Sequence, residues 1–95
     1  MPEMRMSIRW PDGAQESCYS PSLVLKDYFQ VGQIYALADF RERSRTALIV
    51  ASERVKAKFG FACSRAADQL ARIEERCRAF NDLPDAHVRI EAFHE

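Results

Sequence analysis

Residues 4–10, MRMSIRW, alternate without a break. Met4, Met6, Ile8 and Trp10 take one parity, and Arg5, Ser7 and Arg9 take the other. A period of two predicts a half-buried strand. The PDG that follows supplies a proline preset for the first turn position and a glycine able to take positive φ, which predicts a hairpin. With Pro11–Gly13 as a three-residue loop, the return strand over 14–19 sets Met6 opposite Cys18 and Ile8 opposite Glu16. The first pair suits a core; the second places a carboxylate on the apolar parity.

The period then changes. SPSLVLKDYF predicts a short helix with Ser20 as its cap and Pro21 in its first turn, ended by Gly32. QIYAL reads as an extended connector. Asp39 with Glu42 three residues on resembles a capping box at the start of a long helix. Phe40, Ser44, Ala47, Leu48, Ala51, Val55 and Phe59 form one stripe along it, and Gly60 is placed to end it in a left-handed cap. A second long helix is expected over 61–80, broken by NDLPD. AHVRIEAF alternates again, with Val88, Ile90 and Ala92 inward and Phe93 on the outer parity. The order β-β-α-α-α-β predicts a single small α+β domain over 1–95. Its expected sheet is three-stranded and mainly antiparallel, with the helices packed on one face.

Composition narrows the classes. Hydrophobic residues make up 47% and charged residues 29%, the balance of an ordinary globular chain. Fourteen basic residues offset fourteen acidic ones, so no global field draws the chain to a polyanion or a membrane surface. The longest apolar run, 47–51, is far below the roughly 20 residues of a membrane span. Three cysteines without CxxC spacing, behind an N-terminus lacking the apolar stretch of a signal, lead us to expect reduced thiols in the cytoplasm.

Cys63 is the candidate nucleophile, because a thiol at a helix start can be activated by the helix dipole. Against that, Cys63, Ala66, Leu70, Ile73, Cys77 and Phe80 step by three and four along one helical stripe. Free cysteine packs as a small hydrophobe, so the expected role of both thiols is core packing. Fourteen helical residues separate them by about 21 Å, which forbids a disulfide between them. The only histidines, His87 and His94, fall on an outward strand position and in the tail. No HxxxH, HExxH or GxSxG spacing and no glycine-rich loop occurs, so no metal or cofactor is expected. Glu74 and Glu75 lie on the polar side of their helix.

The first long helix carries Arg41, Arg43, Arg45, Arg54, Lys56 and Lys58, but a sequence pI of about 6.7 argues against a nucleic-acid footprint. Ile49 stands out instead. It falls among Glu42, Arg45, Glu53 and Lys56, opposite the core stripe, with Val50 at the edge. Ile49, with Arg45 and Lys56 as a polar rim, is the expected contact with a protein partner or a second copy, and outward Phe93 would extend it if the two cluster.

Several stretches together, RWPDG, CYSPS, LADF, RSRTAL and ASERVKAKFGFACSRAADQL, resemble a family of small bacterial nitrogen-starvation-response proteins. The resemblance covers nearly the whole chain. It implies a gene cluster that contains a nitrilase, with radical-SAM, acetyltransferase-like and flavoprotein companions, and a link to nitriles or cyanide as nitrogen sources. It carries no catalytic residues over. The expected function is therefore a non-catalytic accessory or interaction protein. Two alternatives remain beside it: a small enzyme or ligand carrier using Cys63, with Ser64 and Tyr19 as polar neighbours, and a regulatory nucleic-acid binder.

Overall fold

The computed structural model describes residues 2–95. Its elements run β1 (Met4–Arg9), β2 (Gln15–Ser20), α1 (Leu25–Tyr28), β3 (Ile34–Ala36), α2 (Leu37–Phe59), α3 (Ser64–Ala79) and β4 (His87–His94). The chain is α+β as expected, but the sheet has four strands, in the order β2-β1-β4-β3, all pairs antiparallel. The extra strand lies in QIYAL, which pairs Ile34 with Arg89 and Ala36 with His87. Three residues are too few for alternation to declare a strand in the sequence, so only the partner reveals it.

The hairpin forms as its residues dictate. Gly13 has φ 87°, its amide donates to the Trp10 carbonyl, and Trp10 donates back to Ala14. Met6 faces Cys18 and Ile8 faces Glu16, the register expected from a three-residue loop. Glu16 is accommodated because the Trp10 indole donates to Oε1 at 3.0 Å and Arg72 donates to Oε2 at 2.7 Å. A Cβ at Gly13 would meet nothing within 4 Å, so only the backbone conformation resists a side chain there. Gly13→Val is expected to lower stability by about 1–2 kcal/mol, and Gly13→Asn by less. Urea unfolding checks this; equal midpoints for glycine and valine would remove the conformational argument.

The core lies between the sheet and the helices. Met4, Met6, Ile8 and Trp10 of β1 and its end, Cys18 of β2, and Val88 and Ile90 of β4 form the floor. Phe40, Ala47, Leu48 and Ala51 of α2, Ile73 and Cys77 of α3, and Val24, Leu25 and Phe29 around α1 close it from above. Trp10 is the hub of the aromatic part. Phe40 meets it edge-on at 5.6 Å and Phe80 stacks on it at 5.9 Å. Edge strand β2 is not left bare: the Tyr19 amide donates to Gln69 Oε1 of α3 at 2.9 Å, which blocks one site for unwanted pairing.

Four local expectations are corrected. Ser20 does not cap α1. It ends β2, donates to the Ser22 carbonyl at 2.7 Å and accepts from the Ser22 amide, tying off a turn before the helix begins. Asp39 lies in the first turn of α2 rather than capping it, and its carboxylate takes Arg43 one turn on. Phe59 is 52% exposed. At about 1.5 Å per residue, α2 with its 23 residues is roughly 34 Å long, beyond the reach of a six-residue strand. The end of α2 therefore overhangs the sheet, and residues 56–62 are all exposed. Gly60 still ends it as expected, with φ 84° and its amide on the Lys56 carbonyl.

The last correction concerns Phe93. Between Ser7 and Ile8 the β1–β4 register slips: Ile8 faces Ile90, but Ser7 faces Ala92 and Met6 faces Phe93. Glu91 is the extra residue of this bulge, and beyond it every side chain changes face. Ala92 turns outward opposite Ser7, while Phe93 turns inward and packs against the core.

Candidate functional site

The three thiols occupy different surroundings. Cys18 and Cys77 are buried; Cys63 is half-buried. Burial first, and then the Glu16 charge, pushes the Cys18 thiol up to about 12, and burial pushes Cys77 up to about 11. Neither is a thiolate near neutral pH, which fits the core role expected of Cys77. Cys63 is the residue just before α3, with extended backbone and no side-chain cap bond. The start of α3 therefore falls three residues later than expected, and Cys63 marks its edge rather than its first turn.

Around that edge lie Tyr19 and Arg65. The Arg65 guanidinium sits 3.9 Å from the centre of the Tyr19 ring, with Arg5 at 5.7 Å. Burial, opposed by Arg65 and reinforced by Glu3 and the Cys63 thiol, raises the Tyr19 hydroxyl above its ordinary value. Tyr19 and the Cys63 thiol thus influence one another electrostatically, and among the described residues no base bonds to the thiol. His94 Nε2 lies 3.1 Å from Ser7 Oγ, and His87 lines a cleft at the base of α2; neither bonds to Cys63 among the described residues.

The basic run of α2 is largely turned to internal contacts. Arg43 donates to Asp39 and to the Tyr28 carbonyl, Arg45 to Glu42 and Glu74, and Arg54 to Ser22 Oγ. Arg45, expected on the rim of a partner contact, thereby joins α2 to α3. Ile49 is 49% exposed and Lys56 is also exposed, on the outer side of α2. Inward Phe93 does not cluster with them. A different aromatic pair takes that place: Phe59 and Phe61 lie 6.4 Å apart at the overhanging α2–α3 turn, 52% and 67% exposed, with the Lys58 ammonium 5.7 Å from the Phe59 ring centre.

Sequence reasoning did not single out Arg41. It lines a cleft of about 310 Å³ between the first turn of α2, the last turn of α3 and residues 81–87. No carboxylate among the described residues pairs with it, and its Nε is buried without a hydrogen-bond partner. In sequence it is one of four arginines on a helix, and nothing local distinguishes the one that, among the described residues, has no hydrogen-bond or carboxylate partner. Among the described residues no group of three or more His, Cys, Asp or Glu is placed to hold a metal ion, and no helix is long and apolar enough to cross a membrane.

An antiparallel sheet backed by a long helical pair defines a small α+β protein with exposed apolar residues on α2, on edge strand β3 and in the loops. Residues 5–93 match the family described as nitrogen starvation-induced protein NitG, and the chain belongs to that family. No significant match to a curated protein or to a solved structure was found.

Proposed function

We propose that this family member is a non-catalytic accessory protein of the cytoplasm that docks on a protein partner or on a second copy of itself. The setting proposed for it is the use of nitriles or cyanide as nitrogen sources during nitrogen starvation, the context implied by its sequence resemblance. The observation that carries the docking role is the apolar residues presented along α2. At about 100° per residue, Ile49, Lys56 and Phe59 fall within roughly 80° of arc. This gives a ridge that runs from Ile49 to the Phe59–Phe61 pair at the free end of the helix. Apolar anchors at the two ends of this ridge, with Lys56 between them and Glu53 and Lys58 beside them, have the make-up of a small interface of apolar contacts among charges.

Ile49→Asp and Phe59→Ser are each expected to keep the wild-type far-UV spectrum, because neither side chain belongs to the core. Each is expected to weaken association. Sedimentation of the wild type and variants, alone and with partners captured from nitrogen-starved cells, measures it. Association unchanged in both variants would rule out the ridge, and loss of helical signal would mean these residues support the fold instead.

A further inference from the structure

We infer that the cleft at the base of α2 binds a small organic monocarboxylate, with its carboxylate on Arg41 and its apolar tail against Leu37, Phe80 and Leu83. This site lies at the opposite end of α2 from the Phe59–Phe61 pair and does not depend on the docking reading.

The first observation is Arg41 itself. A guanidinium Nε held away from solvent with no acceptor is costly to leave unsatisfied. Every other arginine of the α2 run has a protein partner, Arg43, Arg45 and Arg54 alike. Arg41 has none among the described residues, yet it lines a cavity large enough for a small molecule. The terminal Nη groups of the same guanidinium form a planar fork that matches the two oxygens of a carboxylate.

The second observation is the balance of donors and acceptors around it. Ala36, Leu37 and Ala38 also line the cleft, at the start of a helix without a side-chain cap. The Leu37 amide is taken by the Ala86 carbonyl at 3.0 Å, but Ala38 follows it in the first turn, where amides have no partner within the helix. At the other helix end three carbonyls near the cleft are taken. Phe80 donates to the Cys77 carbonyl, Asn81 to Arg78 and Leu83 to Phe80. Asn81, Asp85 and His87 add polar groups to these walls, and the Arg41 guanidinium is their one permanent positive charge. Asp85 is the one carboxylate of the lining, and it makes no ion pair with Arg41.

The third observation selects the ligand class. A single guanidinium suits a monoanion; a phosphate dianion would sit beside Asp85 with one cation to neutralise it. Leu37, Phe80, Leu83, Ala86 and Cys77 give the cleft an apolar side, across from the polar groups of Asn81, Asp85 and His87. Charge at one end and hydrocarbon along one side describe a short-chain or aromatic carboxylic acid.

Nitrogen-15 NMR of the whole chain tests this directly, because the Arg41 Nε–H gives its own resonance. Sodium butyrate is expected to shift that resonance and the Ala38 amide saturably. Butyramide, the neutral isostere, and inorganic phosphate are expected to bind at least about tenfold more weakly, since they lack either the charge or the tail. Arg41→Gln should abolish the butyrate response, and Arg41→Lys, which keeps charge but loses the fork, should weaken it about tenfold. The proposal is overturned if wild type shows no saturable shift at Arg41 Nε–H. It fails equally if butyramide or phosphate binds as tightly as butyrate, or if a folded Arg41→Gln protein still binds. Should Arg41→Gln not fold, the comparison of the three ligands on wild type decides alone.

Discussion

Trp10→Ala is expected to destabilise the protein by about 3–5 kcal/mol, the cost typical of emptying a large aromatic from a packed core. Typical domains have only about 5–15 kcal/mol in total, so the variant should sit close to the edge of unfolding at room temperature. The reason is how much converges on one side chain. Trp10 is 2% exposed, meets Phe40 and Phe80, and has the Arg76 guanidinium 5.2 Å from its ring centre. Its indole N–H donates to Glu16 at 3.0 Å, the bond that lets a carboxylate occupy a core-parity position on β2. Trp10→Phe separates the two contributions. It keeps an aromatic ring in the site but removes the donor, so its loss should fall between wild type and alanine. Glu16 keeps its bond from Arg72 in that variant. Urea midpoints of the three proteins decide the matter. A Trp10→Ala midpoint no lower than that of an exposed-residue control would show that the core is organised around something else.

The thiols should divide by more than a thousandfold in reactivity. With a water-soluble disulfide reagent near pH 8, Cys63 is expected to label readily, while Cys18 and Cys77 label only through opening of the fold. Opening at a cost above about 4 kcal/mol slows a buried thiol roughly a thousandfold or more. In urea all three should react alike. Fast native labelling of Cys18 would contradict its place in the floor of the core. The raised thiol values also give a pH dependence with a definite sign. An unfolded cysteine ionises near its ordinary value of 9.0, whereas folded Cys18 holds its proton to about 12 and Cys77 to about 11. Between those limits the unfolded chain binds fewer protons than the folded one. Stability from the buried neutral thiols is therefore whole below about pH 9 and is lost as pH rises toward 11 to 12. Urea midpoints measured on either side of pH 9 follow the loss, and replacement of Cys18 by valine should flatten it.

Much of this architecture could be read along the chain because the signals were local and repeated. Strict alternation in MRMSIRW produced β1, PDG produced the turn and its register, and the 3–4 stepping of Phe40 to Val55 produced the buried face of α2. Each of these is a choice that the backbone and the nearest side chains settle among themselves. The family, too, could be recognised from its motifs, and the match over residues 5–93 agrees with it. What the tertiary structure alone decided depended on lengths and partners far apart in sequence. β3 exists because β4 offers it an edge. Phe93 points inward because one extra residue at Glu91 reverses the parity, and no pattern in EAFHE marks where a bulge falls. Phe59 keeps the core spacing yet leaves the core, because the helix outruns the sheet beneath it. Arg41 is set apart from Arg43, Arg45 and Arg54 only by its want of a partner among the described residues. That is a property of the assembled surroundings, since a guanidinium is satisfied or orphaned by whatever other segments happen to bring within reach.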